Sequence, residues 1–170
     1  MAELEIFEAI HSARSLRKFK PDPVPDEIIT QILDAAIRAP SASSNQNWVF
    51  VVVRDAGQRK RLGEIYYKAS RVLMAEYGER KRPEHLEERQ FNLMRKSSSY
   101  LFEHMAEAPV LLVAALASGK SSRFSPLSHE QETNRLWRTS GASIYPAVQN
   151  IILAARALGL GTVLTTIHTY

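Results

Sequence analysis

The sequence contains no cysteine in its 170 residues. That excludes disulfides, thiolate metal sites and cysteine nucleophiles. No apolar run is long enough to span a bilayer. The opening residues, MAELEIFEAI, carry three glutamates and no basic stretch, so they do not read as a secretory signal. The expected location is the cytoplasm, with no membrane partner. The five histidines, at positions 11, 85, 104, 129 and 168, include no i, i+4 pair, which leaves no helical metal site. There is no G-x-S-x-G and no P-loop. Gly159-Leu160-Gly161 lacks the third glycine of a dinucleotide fingerprint and reads as a helix stop. No side chain stands out as a nucleophile or acid–base catalyst. If the chain is an enzyme, a cofactor carries the reaction. With no internal repeat, heptad run or domain boundary, residues 1–170 read as one domain.

What is present describes an ordinary globular chain. It is 45% hydrophobic and 24% charged, with enough residues to bury a core. The net charge of +4 sits in residues 54–96, which hold twelve Lys/Arg against seven Asp/Glu. Charges of both signs interleave there. This describes a solvated helix face better than a nucleic-acid surface, so no nucleic-acid partner is expected.

Periodicity orders the elements. Leu4, Phe7 and Ile10 share one face of a first helix, from Glu3 to about Ala13. Residues 14–20, RSLRKFK, read as extended and run into Pro21, Pro23 and Pro25, a spacing that forbids helix. Pro25-Asp26-Glu27 opens a second helix with Ile28, Ile29, Ile32, Leu33 and Ala36 as its buried stripe, ending at or before Pro40. Trp48 to Val53 is a strand, apolar enough throughout to suggest burial on both faces. Gln58 to about Tyr77 is helical. Glu84 to Ala108 is mostly helical, with a break suggested at Ser97-Ser98-Ser99. Pro109 introduces a second strand, VLLVAAL, and a serine-rich loop spans 118–128. Ser140 to Leu158 is the strongest helix, with Pro146 early in it and Gly159 as its C′ residue. Thr162 to Thr166 reads as a third strand. Strands separated by helices imply a layered α/β or α+β domain.

The chain is organised around Ala39 to Val53, APSASSNQNWVFVVV. A turn of three serines and two asparagines there offers backbone N–H groups and short polar side chains outward. Turns of this composition are often only connections. Arg14 and Arg17 bracket Ser15, and two fixed guanidinium groups suit phosphate or a planar heteroaromatic edge; two surface arginines capping a helix end would look the same. Trp48 reads as a core anchor, and Asn150 as a buried amide bonded to backbone. Gln46 fits a ligand contact or a turn-stabilising amide equally well. Tyr66, Tyr67 and Phe91 fit helix packing better than a substrate lid.

Taken in order, RSLRKF, VPDEII, APSASSNQNWVFVVV and PAVQNIILAARALGLGTVLTT resemble the nitroreductase family of FMN-dependent oxidoreductases. The resemblance covers both ends of the chain, and residues 55–108 match in kind only. It implies an α+β fold, a layered sandwich whose central mixed sheet is flanked by helices, assembled as an intertwined homodimer with FMN in the interface. It implies that Arg14, Ser15 and Arg17 meet the phosphate, ribityl chain and pyrimidine edge. Pro40, Ser41, Ala42, Ser43 and Ser44 would pack on the flavin from the other subunit, with Gln46 as a further contact. Leu164, Thr165 and Thr166 would lie along the ring near N5. It implies NAD(P)H as co-substrate and a nitroaromatic, quinone or similar electron-poor acceptor, served in turn by a ping-pong mechanism.

The sequence departs from the family pattern in four places. Ala13 stands where a basic residue is usual, Ser44 where asparagine is usual and Asn47 where proline is usual. The family also continues past the Thr165-Thr166 strand, with a tail that brings a basic residue to the phosphate. Two phosphate contacts are therefore expected to be missing and FMN binding to be weak. Two rival readings stay open: a flavin-free or weakly flavin-binding scaffold of the same fold, and a dehalogenating or flavin-cleaving relative.

Overall fold

A computed structural model of the protein describes residues 5–77, 81–117, 128, 130, 131, 139 and 141–167. The chain forms two compact units that exchange segments along the sequence. The first takes residues 1–13, 25–52 and 112–160, and the second 14–24, 53–111 and 161–170. The loop expected at 118–128 lies outside the described residues except for Ser128.

The first unit is built on two apolar helices. Helix α2 (Asp26–Ala36) follows Pro25, with Asp26 and Glu27 in its first turn, where the helix dipole favours acids. It packs on α5 (Gly141–Ala157). Ile32 and Ala36 meet Ile151 and Ala155 in the core of this unit. Small residues at both contact points let the two backbones approach closely. Pro146 lies inside α5, as the sequence suggested. Asn150 is the backbone-bonded amide expected, half-buried rather than buried, its Nδ2 donating to the Ala35 carbonyl at 2.9 Å. Helix α1 (Ile6–Ser12) packs on α5 through Ala9. The apolar face predicted for it is not covered within the unit: Phe7 is 71% and Ile10 46% exposed.

Strands β1 (Trp48–Val53) and β2 (Leu111–Leu116) pair, and all but Val53 and Leu111 belong to this unit. The end of β2 meets the start of β1: Ala117 N–H donates to the Asn47 carbonyl at 2.8 Å, an antiparallel register. The Asn47 side chain returns the bond to the Ala117 carbonyl at 2.8 Å. The residue that departs from the family's proline is thus spent on the sheet. Burial of β1 on both faces is corrected. Phe50 and Leu112 pack on the α2–α5 core, whereas Val49 and Val51 face outward at 43% and 50% exposure. A two-stranded sheet covered by helices on one side buries only alternate residues.

Helix α5 closes with a Schellman motif. The Gly159 N–H donates to the Arg156 carbonyl and the Leu160 N–H to that of Ala155, at 3.1 and 2.8 Å, while Gly159 takes φ = 80°. A side chain is strained in that region, so Gly159→Ala is expected to lower stability by about 1 kcal/mol, measurable as a shift in urea midpoint at unchanged slope.

The second unit is helical. Helix α3 (Ala56–Tyr77) packs on α4 (Glu88–His104), which runs unbroken through Ser97-Ser98-Ser99. Those serines were expected to interrupt it; tertiary packing of Leu101 and Phe102 overrides their weak helix propensity. A capping box between Glu87 and Gln90 starts α4, and a 3₁₀ turn at Met105–Glu107 ends it. Tyr66, Leu101 and Phe102 form the core, with Phe19, Met74, Met105, Val163 and Ile167 packed around it. The third strand expected at 162–166 reduces to a single parallel bridge between Ser15 and Thr162. With one bonded neighbour, the 162–166 segment satisfies only part of its backbone through a ladder.

Candidate functional site

In the second unit, the strap at Arg14–Val24 lies alongside residues 161–167. The Leu16 N–H donates to the Thr162 carbonyl at 2.9 Å. This close approach uses Gly161, where an added Cβ would meet Leu16 Cδ1 at 2.6 Å. The strap is fastened again at α4. Arg17 Nη1 donates to Ser97 Oγ at 3.5 Å, and Lys18 Nζ stands 4.8 Å over the Tyr100 ring. Sequence pattern alone separates Arg14, Ser15 and Arg17 from Leu164, Thr165 and Thr166 by about 150 residues; the fold brings them into one unit.

Arg17 is half-buried and makes only long contacts. Besides Ser97, its Nη1 reaches the Ser15 carbonyl at 3.4 Å. Its Nη2 and Nε have no partner among the described residues. A guanidinium fork with five donors, held at Nη1 and unspent at Nη2 and Nε among the described residues, suits an anionic or carbonyl-bearing planar edge. Arg14 and Ser15 are exposed beside it, as are Leu164 and Thr166.

Thr165 points differently. Its Oγ1 donates to the Tyr66 hydroxyl at 3.0 Å and accepts the Ile167 N–H at 3.5 Å. Tyr66 is 2% exposed. Burial pushes its phenol up from the ordinary range, while the Thr165 hydrogen bond and the charge of Arg17 pull it partly back. Tyr66 behaves as the packing residue expected, with its ring tilted against Phe102 at 5.9 Å between centroids. Tyr67, by contrast, is exposed.

The turn at Pro40–Gln46 belongs to the first unit. Ser43, Ser44 and Gln46 all take positive φ, at 51°, 53° and 46°. Three residues with side chains in the left-handed region cost about 1–2 kcal/mol each, and such strain concentrates at ligand sites. The expected display of backbone N–H groups is corrected at four positions. Ser44 donates to the Ser41 carbonyl and Asn45 to that of Ala42, each at 3.1 Å. The Gln46 N–H goes to Ser41 Oγ and the Ala42 N–H to Ser143 Oγ, each at 3.0 Å. What the turn presents outward is the exposed side chains of Pro40, Ala42, Ser43, Ser44 and Gln46.

Ser143 is the residue that sequence reading missed here. It is 5% exposed on the apolar face of α5, and its carbonyl also accepts the Trp48 indole N–H at 2.8 Å. Trp48 is therefore anchored where the strand begins. A hydroxyl at the start of an apolar stripe was the available signal, since such a group needs a partner when buried. Ser97 gave no comparable signal among three adjacent serines. Among the described residues, no cluster of His, Asp and Glu could hold a metal ion, and no helix is long and apolar enough to cross a membrane.

The chain is similar to known proteins over nearly its whole length. A Methanothermobacter thermautotrophicus protein named as a candidate NADH dehydrogenase/NAD(P)H nitroreductase is 28% identical over 168 residues, covering 99% of this chain and 64% of its own. The chain thus spans less than two thirds of that relative. The solved BluB-like flavoprotein of Clostridium difficile 630 superposes with a TM-score of 0.69 at 27% identity, over 98% of this chain and 76% of its own. An iodotyrosine deiodinase solved with FMN and 3-iodo-L-tyrosine shares the fold, with a TM-score of 0.66 at 23% identity, over 95% of this chain and 74% of its own. The nitroreductase family model matches residues 10–170, and the chain, an α+β protein of that fold, belongs to the nitroreductase family.

Proposed function

We propose that residues 1–170 form one nitroreductase-like domain that binds FMN and works as an NAD(P)H-dependent oxidoreductase on nitroaromatic, quinone or similar acceptors. The observation that carries this reading is the Arg17 fork, half-buried, held by Ser97 and the Ser15 carbonyl on the strap that bridges to Thr162, and with donors to spare. Family membership and the flavoprotein among its structural relatives support it. The donor set fits the group: a cation for the pyrimidine edge, a hydroxyl and a second arginine for the ribityl phosphate, and exposed Leu164 and Thr166 for the ring.

Bound FMN would supply hydride acceptance and donation, chemistry no side chain here provides. The chain's part is to bind and orient. Arg14 and Ser15 hold the phosphate and sugar chain, and Arg17 offsets negative charge at the pyrimidine edge. Residues 164–166 would lie along the ring. Pro40–Ser44, supplied by a second copy, cover it. Donor and acceptor occupy one place in turn, and water supplies protons. No side chain is needed as acid or base.

A homodimer is part of the proposal. Phe7 and Ile10 on α1 and Val49 and Val51 on β1 leave apolar surface uncovered in a single copy, which a partner would bury. Sedimentation is expected to show a dimer at micromolar concentration; a stable monomer removes this part of the reading.

The deciding experiment adds FMN to the purified protein, then NADH or NADPH without air, and follows bleaching of the flavin absorbance before acceptors are supplied. Bleaching followed by turnover of a nitroaromatic or quinone is the expected result. The panel includes 3-iodo-L-tyrosine, since a deiodinase of this fold was solved with it. Iodide release without nitroaromatic turnover would replace the proposed activity by dehalogenation. Absence of FMN binding would favour a flavin-free scaffold.

A further inference from the structure

A tyrosine buried to 2% exposure costs desolvation that phenylalanine would not. Tyr66 fills its place in the Leu101–Phe102 core with its ring, a task phenylalanine performs equally. Its hydroxyl therefore needs a separate reason. Among the described residues that hydroxyl has one hydrogen-bond partner, Thr165 Oγ1. Thr165 sits in the segment that also carries Leu164 and Thr166. Among the described residues the segment has no strand ladder beyond the Ser15–Thr162 bridge at its start. Arg17 is near enough for its charge to act on the phenol.

We infer that Tyr66 is a positioning residue: its phenol oxygen, 3.0 Å from Thr165 Oγ1, holds residues 164–166 in place beside Arg17 for the flavin ring. This rests on the FMN reading above. The Thr165 hydroxyl donates to Tyr66 and accepts from the Ile167 N–H. Its one proton is therefore committed to the protein, and the segment meets the ring through its backbone and through Leu164 and Thr166. Fixing the segment before the ligand arrives spares that ordering cost on binding.

The test is titration of FMN and of riboflavin, by flavin fluorescence, into the native chain and into Tyr66→Phe, Thr165→Val, Thr165→Ser and the double variant Tyr66→Phe/Thr165→Val, each with its thermal midpoint. Removing one positioning hydrogen bond is expected to weaken binding about 3- to 10-fold. The loss should be equal for FMN and riboflavin, because the contact acts at the ring and not at the phosphate. The double variant should lose no more than either single one, since both remove the same bond. Thr165→Ser should recover most of what Thr165→Val loses. Tyr66→Phe binding within twofold of the native chain, with or without a lowered midpoint, overturns the inference, as do losses that multiply in the double variant. If Tyr66→Phe does not fold, equal affinities of Thr165→Val and Thr165→Ser overturn it from the other partner. A native chain that binds neither flavin overturns the FMN reading and the inference with it. A native chain that binds, beside an unaffected Tyr66→Phe, overturns the inference alone.

Discussion

Replacing Arg17 by alanine is expected to weaken FMN about 10- to 100-fold, the worth of one charge-assisted hydrogen bond, and to lower the potential of the bound flavin by about 30–60 mV. The two effects have separate causes. Affinity falls because the Nη2 and Nε donors of the guanidinium, unspent within the described residues, no longer meet the ring edge. The potential falls because the reduced ring carries negative charge that the oxidised ring does not, so a neighbouring cation stabilises the reduced form selectively. The strap should hold its place, since the Ser15–Thr162 bridge and the Lys18–Tyr100 contact do not involve the Arg17 side chain. A redox titration against a dye of known potential, run beside fluorescence titration, checks both. A potential unchanged or raised would refute the role given to Arg17 at the pyrimidine edge, even with affinity reduced. Arg17→Lys separates charge from shape: it should keep most of the potential and lose part of the affinity, because an ammonium cannot reproduce the planar fork.

Arg59→Ala carries the largest expected effect on stability, about 2–4 kcal/mol. Arg59 Nη1 donates to the carbonyls of Ala106 and Ala108, each at 2.7 Å, and Nε to that of Arg54 at 3.2 Å. The first two are backbone acceptors just past the end of α4, where helical carbonyls run out of partners. One guanidinium therefore ties the close of α4 to the start of α3. Gly63 permits that packing, since a Cβ there would stand 3.0 Å from Ala106 Cβ. Alanine would leave two part-buried carbonyls without donors and remove a cation from a helix C-terminus. In a chain of this size the thermal midpoint should fall by roughly 5–15 °C, at 2–4 °C per kcal/mol. Arg59→Lys should recover only part, because a single ammonium reaches the two carbonyls less well. A midpoint within 2 °C of the native chain, about the effect of 1 kcal/mol or less, would mean that water satisfies those carbonyls. The clamp would then contribute nothing measurable.

The sequence marked Arg59 only as one of twelve basic residues in 54–96, and that limit is general. Patterns with a short repeat were legible. The Ile28–Ile32–Ala36 spacing read out α2, the β-branched run at 48–53 read out β1, and Gly159 marked the end of α5, because 3.6-residue and two-residue periods and a left-handed cap are local properties of the chain. The ordered motifs RSLR, APSASSNQNW and LGTVLTT carried the family, and with it the α+β fold, since their types and order are properties of the string itself. Where the reading failed, the cause lay in the neighbours. Val49 and Val51 are as apolar as Phe50, yet only the side facing α2 and α5 is covered. Thr162–Thr166 has strand composition, yet finds a single bridge, because a strand exists only where a partner's N–H and C=O groups stand opposite. The three serines at 97–99 weaken a helix in isolation, yet α4 runs through them on the burial of Leu101 and Phe102. The types of the candidate residues were thus determined by sequence: two arginines around a serine, a polar turn, a threonine pair. Which of their hydrogen bonds are already taken was decided by tertiary structure alone. Thr165 is committed to Tyr66, and the N–H groups of Ala42, Ser44, Asn45 and Gln46 to Ser41, Ala42 and Ser143, while most of the Arg17 fork has no partner among the described residues. A hydrogen bond depends on two groups meeting within about 3 Å, and sequence separation carries no information on that distance.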